Sequence, residues 1–148
     1  MKILVTGATG FIGGNLAREL WRRGDHVQAL IRPGSNQLAI RDTGIIPIEG
    51  DILDRQSVDR AVRGCEAVFH VAAAYTFWSK DRSNVARTNI QGTINVLEAA
   101  RRARVSRTVY TSTVGTIGLP KQGPVSYTHL RAHETREDRG WRGVGGKK

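Results

Sequence analysis

Apolar residues in this chain fall into short blocks whose spacing alternates between two periods. KILVT (2–6), HVQALI (26–31), IIPIEGD (45–51), AVFHVAA (67–73) and TVYTSTV (108–114) are compact, β-prone runs bounded by glycine or polar turn residues, which predicts five strands. Between them the spacing changes to that of helices. FIGGNLARELWRRG has a stop at Gly24 and RQSVDRAVRG one at Gly64. From about Asn84 to Arg104, Ala86, Ile90, Ile94 and Leu97 recur at helical spacing and are expected to form one apolar helix face. Strands alternating with helices imply parallel pairing through right-handed crossovers, hence a three-layer α/β sandwich. No internal repeat interrupts this order.

Gly7, Gly10 and Gly13, in GATGFIG, stand directly between the first strand and the first helix. Glycines in that position let the backbone turn sharply, admit a pyrophosphate close to the main chain, and let the helix pack tightly on the sheet. The helix start then offers free N–H groups and a partial positive charge to phosphate. Thr9, Phe11 and Ile12, lying between the glycines, complete the candidate cofactor turn. A glycine-rich turn with no ligand is the plainer alternative.

The spacing is GxxGxxG. With TGATGFIG at its start, then GDILD (50–54), VFHVAA (68–73), TNIQGTINVLEAA (88–100) and VYTSTVGTIG (109–118) in order, the chain resembles the extended short-chain dehydrogenase/reductase superfamily over about its first 119 residues. Within it, the likeness is to the dihydroflavonol-reductase-like and sugar-epimerase-like branch, the NAD-dependent epimerases and dehydratases. The resemblance implies a Rossmann-type doubly wound sheet, here ending after about the fifth strand, and hydride transfer to a carbonyl or sugar-nucleotide substrate. It implies that Asp51 and Ile52 cap the adenine, that Val71, Ala72 and Ala73 border the ribose and pyrophosphate, and that Asn89 faces the nicotinamide region. Asp51 could equally be the N-cap of the next helix, and Asn89 could serve a structural hydrogen bond.

The second strand ends ALIRPGSN, with no carboxylate to take the ribose hydroxyls of NAD. Arg32 stands there instead, with Ser35 and Asn36 nearby, which favours NADP over NAD; the alternative is an arginine simply exposed before the Pro33-Gly34 turn. Tyr75, Phe77 and Trp78 follow the fourth strand, where they line a substrate pocket or form a surface loop.

The superfamily transfers the hydroxyl proton through a tyrosine with a lysine four residues on, aided by a serine or threonine that maps to Thr113. Thr113 could also be an ordinary strand residue. The tyrosines are Tyr75, Tyr110 and Tyr127, and four positions after them stand Ser79, Val114 and Arg131. There is no YxxxK. Arginine does not replace the lysine, because it cannot release its charge and its planar fork differs in geometry.

After Pro120 the periodicity dissolves, and VSYTHLRAHET (125–135) matches one reading frame of a transposase-type sequencing adapter. The expected organisation is an NAD(P)-binding portion over 1–123 and a non-native, disordered tail over 124–148. The catalytic tyrosine and lysine and most of the substrate site then belong to a longer parent, and this chain is expected to be inactive. A dinucleotide-sensing module without catalysis is the alternative.

Composition changes this picture little. Hydrophobic residues make up 39% and charged residues 24%, as in a globular domain. The net charge of +10 divides into +6 through Pro120 and +4 from Lys121 onward, without aromatic-basic interleaving, so nucleic acid is not an expected partner. With no apolar run of membrane-spanning length and no leader-like start, a cytoplasmic location without membrane contact is expected. The resemblance adds a small-molecule substrate and a parent able to form a homodimer. Cys65, the single cysteine, cannot build a disulfide or a metal cluster and reads as a small apolar residue.

Overall fold

The computed structural model describes residues 1–75 and 82–112. In chain order the elements are β1 (Lys2–Thr6), α1 (Phe11–Arg22), β2 (His26–Ile31), β3 (Ile46–Glu49), α2 (Arg55–Val62), β4 (Ala67–His70), α3 (Arg82–Arg102) and β5 (Arg107–Tyr110). The strands form one parallel sheet in the order β3-β2-β1-β4-β5. The chain winds outward from β1 in one direction, then crosses back to β4 on its other side. The expected doubly wound sheet is present.

The two-residue period of the strands sorts their side chains into two cores. Ile3, Val5, Val27, Ala29, Ile31 and Ala67 lie in the cluster that includes Ala17 of α1, whereas Leu4, Leu30 and Val68 lie in the one holding Val58 and Val62 of α2 and Val96 and Ala99 of α3. Burial on both faces is why these strands read as continuous apolar runs. It also closes Cys65 inside the second cluster, where desolvation raises its thiol pKa and the sulfur lies 3.5 Å from the Ala61 carbonyl.

Three sequence expectations shift. The fourth strand stops at His70 and the fifth at Tyr110, so Val71–Ala73 and Thr111–Ser112 are loop rather than strand. The helix N-cap after the third strand is Asp54, whose carboxylate accepts from the Gln56 N–H at 3.0 Å, leaving Asp51 free of that task. The apolar stripe of α3 does not face the core: Ile90, Ile94 and Leu97 are 63%, 48% and 40% exposed. The buried side is instead Gly92, Asn95, Val96, Ala99 and Ala100. Small residues and one asparagine make a weak hydrophobic signal, but they let α3 come close to the sheet. A Cβ on Gly92 would lie 2.5 Å from Ile52 Cδ1, and Asn95 Nδ2 donates to the Ile52 carbonyl at 2.8 Å. No helix among the described residues is long and apolar enough to cross a membrane.

Candidate cofactor site

In an open parallel sheet, the loops leaving the carboxyl ends of the strands diverge where the winding reverses, and ligands bind in the crevice left there. Here that point lies between β1 and β4, and the two loops that meet at it are Gly7–Gly10 and Val71–Ala74. Their approach is very close. Gly7 has φ +77°, and a Cβ on it would lie 2.7 Å from the Ala72 nitrogen. Gly13, in the first turn of α1, sits against the Gly7 carbonyl so tightly that a Cβ would fall 2.2 Å from its oxygen. These two glycines shape the turn. Gly10 differs: it is exposed, and its Cβ would meet only the Gly7 oxygen, at 3.3 Å. The space beside it is open, as a ligand pressed on the backbone would require.

Gly10 is also the N-cap of α1 and supplies no side-chain cap. Among the described residues no side chain caps the first N–H groups of the helix, and an anion suits them. Phe11 and Ile12, at the head of the helix, are 88% and 63% exposed. Thr9 and Gly10 open onto a cleft of about 740 Å³, walled on its far side by Asn36, Leu38 and Ala39 and carrying Arg18 and Arg22.

The remaining sequence-predicted residues follow the carboxyl ends of neighbouring strands or sit on α3. Arg32 follows β2 directly and is exposed; its carbonyl accepts from the Ser35 N–H at 3.0 Å in the Pro33-Gly34 turn. Asn36 spends its carboxamide oxygen on the Leu38 N–H at 2.9 Å. Asp51 follows β3, half-buried, with Oδ1 accepting from the Leu53 N–H at 2.8 Å. Ile52 turns its side chain into the core, only 8% exposed. Asn89 reaches from α3 to the loop after β4, where its amide accepts from the Ala74 N–H at 2.7 Å and donates to the Ala74 carbonyl at 2.9 Å. This two-point clamp is the structural hydrogen bond that the sequence left open. Thr113, Phe77, Trp78, Tyr127 and the tail from 124 onward lie outside the described residues.

Sequence reasoning missed several residues that build the crevice. Gly14 lets the connection between β2 and β3 approach α1, since a Cβ there would lie 2.7 Å from Ala39 Cβ. Arg18 fastens that connection by donating to the Ala39 and Arg41 carbonyls at 2.7 and 3.2 Å. Beneath the crevice, Thr6 and His70 face each other across the β1–β4 seam. A partial signal was present: Leu4 and Thr6, like Val68 and His70, share parity on their strands, which puts each polar residue on the face of a buried apolar one, while the register alone pairs them.

The turn therefore presents the features that a dinucleotide pyrophosphate needs: backbone that no Cβ could occupy, an uncapped helix start, and a floor set by two adjacent strands. Comparison with known proteins agrees. A putative dihydroflavonol 4-reductase of Synechocystis is 43% identical over 119 residues, which is 80% of this chain but 34% of that protein. Among solved structures, the Bordetella bronchiseptica enzyme WbmH in complex with NAD+ superposes with a TM-score of 0.72 at 32% identity, over 90% of this chain and 46% of that one. A Thermus thermophilus UDP-glucose 4-epimerase complexed with NAD gives 0.72 at 28% identity, over 99% and 51%. The chain thus spans between about a third and a half of the length of these relatives. The sequence profile of one family runs through residues 3–137, from the start of β1 past the last described strand, and the chain belongs to that NAD dependent epimerase/dehydratase family.

Proposed function

We propose that this chain is the cofactor-binding portion of an oxidoreductase or epimerase acting by hydride transfer on a carbonyl or sugar-nucleotide substrate. The observation that carries the reading is the lack of room for a Cβ at Gly7, against the Ala72 backbone, and at Gly13, against the Gly7 carbonyl, which leaves bare backbone at the switch point of the sheet. When bound, the nicotinamide supplies the hydride chemistry, and the chain's own residues hold and orient it. The relatives whose names describe carbonyl reduction and sugar-nucleotide epimerisation support the two substrate classes.

NADP is the preferred cofactor in this proposal. Arg32 stands at the end of β2, where an acidic residue would select NAD. Fluorescence titration is expected to give NADPH about tenfold tighter binding than NADH, with Arg32→Ala removing most of the difference. Equal affinities in the unaltered chain would return the preference to NAD.

Binding without turnover is the second part of the proposal. Loss of a proton-transfer residue removes a factor of ~10²–10⁴ in rate, and no YxxxK pair occurs in this sequence. NADPH oxidation with simple ketone and aldehyde substrates is expected to stay at background, unchanged by Tyr127→Phe. A measurable rate that drops at least about tenfold in Tyr127→Phe, with folding intact, would make Tyr127 a working acid and remove this part.

A further inference from the structure

Thr6 and His70 are completely buried, polar, and paired across the β1–β4 seam directly under the crevice. The hydroxyl of Thr6 accepts from the Ala72 N–H at 3.2 Å and shares the Val71 N–H, at 3.2 Å, with the Thr6 main-chain carbonyl, at 3.3 Å. Its own proton is then directed to His70 Nδ1, 2.7 Å away. That arrangement favours the Nε2–H tautomer of the imidazole, which would donate to Thr93 Oγ1 on α3, 3.0 Å away. Tyr110 of β5 stacks on the ring with centroids 5.4 Å apart, holding its plane. The result is one directed chain of hydrogen bonds from the loop after β4, through β1 and β4, to α3.

Resting on the dinucleotide reading above, we propose that Thr6, His70 and Thr93 are positioning residues for the cofactor: their hydrogen-bond chain sets the separation of the Gly7 turn and the Val71–Ala73 loop. None of the three side chains needs to touch the ligand. Thr6 is the last residue of β1, immediately before Gly7, and His70 is the last of β4, immediately before Val71, so the pair fixes both loops at their roots. The loop after β4 has a second anchor in the Asn89–Ala74 clamp, and α3 carries both Asn89 and Thr93. One helix thus ties the loop down at two points four residues apart, on the same face. A crevice whose walls are backbone tolerates little drift, because hydrogen bonds from that backbone to a ligand hold only over about 2.7–3.2 Å.

The test is titration of NADPH and NADH into Thr6→Val, Thr6→Ser and Thr93→Val, alongside long-range ¹H–¹⁵N spectra of the His70 imidazole. Thr6→Val keeps shape and loses the hydroxyl; it is expected to weaken dinucleotide binding by about tenfold or more, with Thr6→Ser restoring it to within about threefold. Thr93→Val leaves the strand seam intact, removes the acceptor of Nε2, and is expected to weaken binding by about threefold or more. The spectra should show Nδ1 unprotonated and Nε2 protonated in the unaltered chain, and a mixture of tautomers in Thr6→Val. Unchanged affinity in whichever of the valine variants folds overturns the proposal, as does an Nδ1–H tautomer in the unaltered protein. An unaltered chain that binds neither dinucleotide overturns this proposal and the functional reading together.

Discussion

Gly13→Ala is expected to lower both the stability of the chain and its affinity for nicotinamide dinucleotide, whereas Gly10→Ala is expected to lower affinity alone. The added methyl group at position 13 falls 2.2 Å from the Gly7 oxygen and 2.6 Å from the Gly7 carbonyl carbon, both of them backbone atoms. No rotamer relieves that overlap, so α1 must move away from the turn. Overpacking of this kind costs about 1–3 kcal/mol, and the displaced turn also loses the alignment of helix start and phosphate. We expect affinity to fall by about a hundredfold or more. At position 10 the methyl group meets only the Gly7 oxygen, at 3.3 Å, a contact relieved by a shift of a few tenths of an ångström. The fold loses little by it; a pyrophosphate on that backbone loses its place. Thermal melts with and without NADPH separate the two effects. A Gly10→Ala variant that binds as tightly as the unaltered chain would show that the ligand does not approach this backbone.

Acid is expected to destabilise the fold through His70. Free in the unfolded chain, its imidazole has the ordinary pKa of 6.5, whereas burial lowers the folded value to about 4. Between those values the unfolded chain binds a proton that the folded chain excludes, so stability is full above about pH 6.5 and declines as pH falls toward 4. Below that both states are protonated and the contribution is gone. Each unit of difference corresponds to ~1.4 kcal/mol, so the loss across the window is about 3–4 kcal/mol, a large part of the ~5–15 kcal/mol that holds a domain together. Urea unfolding at pH 7, 6 and 5 should show a falling midpoint in the unaltered chain and a shallower fall in His70→Gln. A midpoint constant from pH 7 to 5 would mean that His70 is not shut away from water as its surroundings require.

Much of the architecture could be read from the sequence, because strands buried on both faces leave dense apolar runs and glycines mark where they stop. The cofactor turn could be read for a related reason: its glycines answer a steric demand made by backbone alone, and Gly7 and Gly13 meet that demand as anticipated. What escaped was decided by partners distant in sequence. α3 shows its Ile and Leu stripe to the outside and packs through Gly92, Asn95 and alanines, because closeness to Ile52 mattered more there than apolar area. Periodicity weighs hydrophobicity and is blind to such closeness. Asp51 stood equally for the adenine contact and for the helix cap until the chain's path placed Asp54 at the helix start. The Thr6–His70 bond joins residues 64 apart, and only the register of β1 on β4 brings them together.

The central claim is that a nicotinamide dinucleotide sits on the glycine turn at the β1–β4 switch point. Amide chemical-shift mapping of the chain during titration with NADPH tests it most directly. The account predicts saturable shifts concentrated at Gly7–Gly13, Arg32, Asp51 and Val71–Ala73, with the base of the sheet around Lys2, Glu66 and Arg107 unmoved. Shifts that fail to saturate, or that gather on the exposed stripe of α3 while the glycine turn stays still, would contradict it.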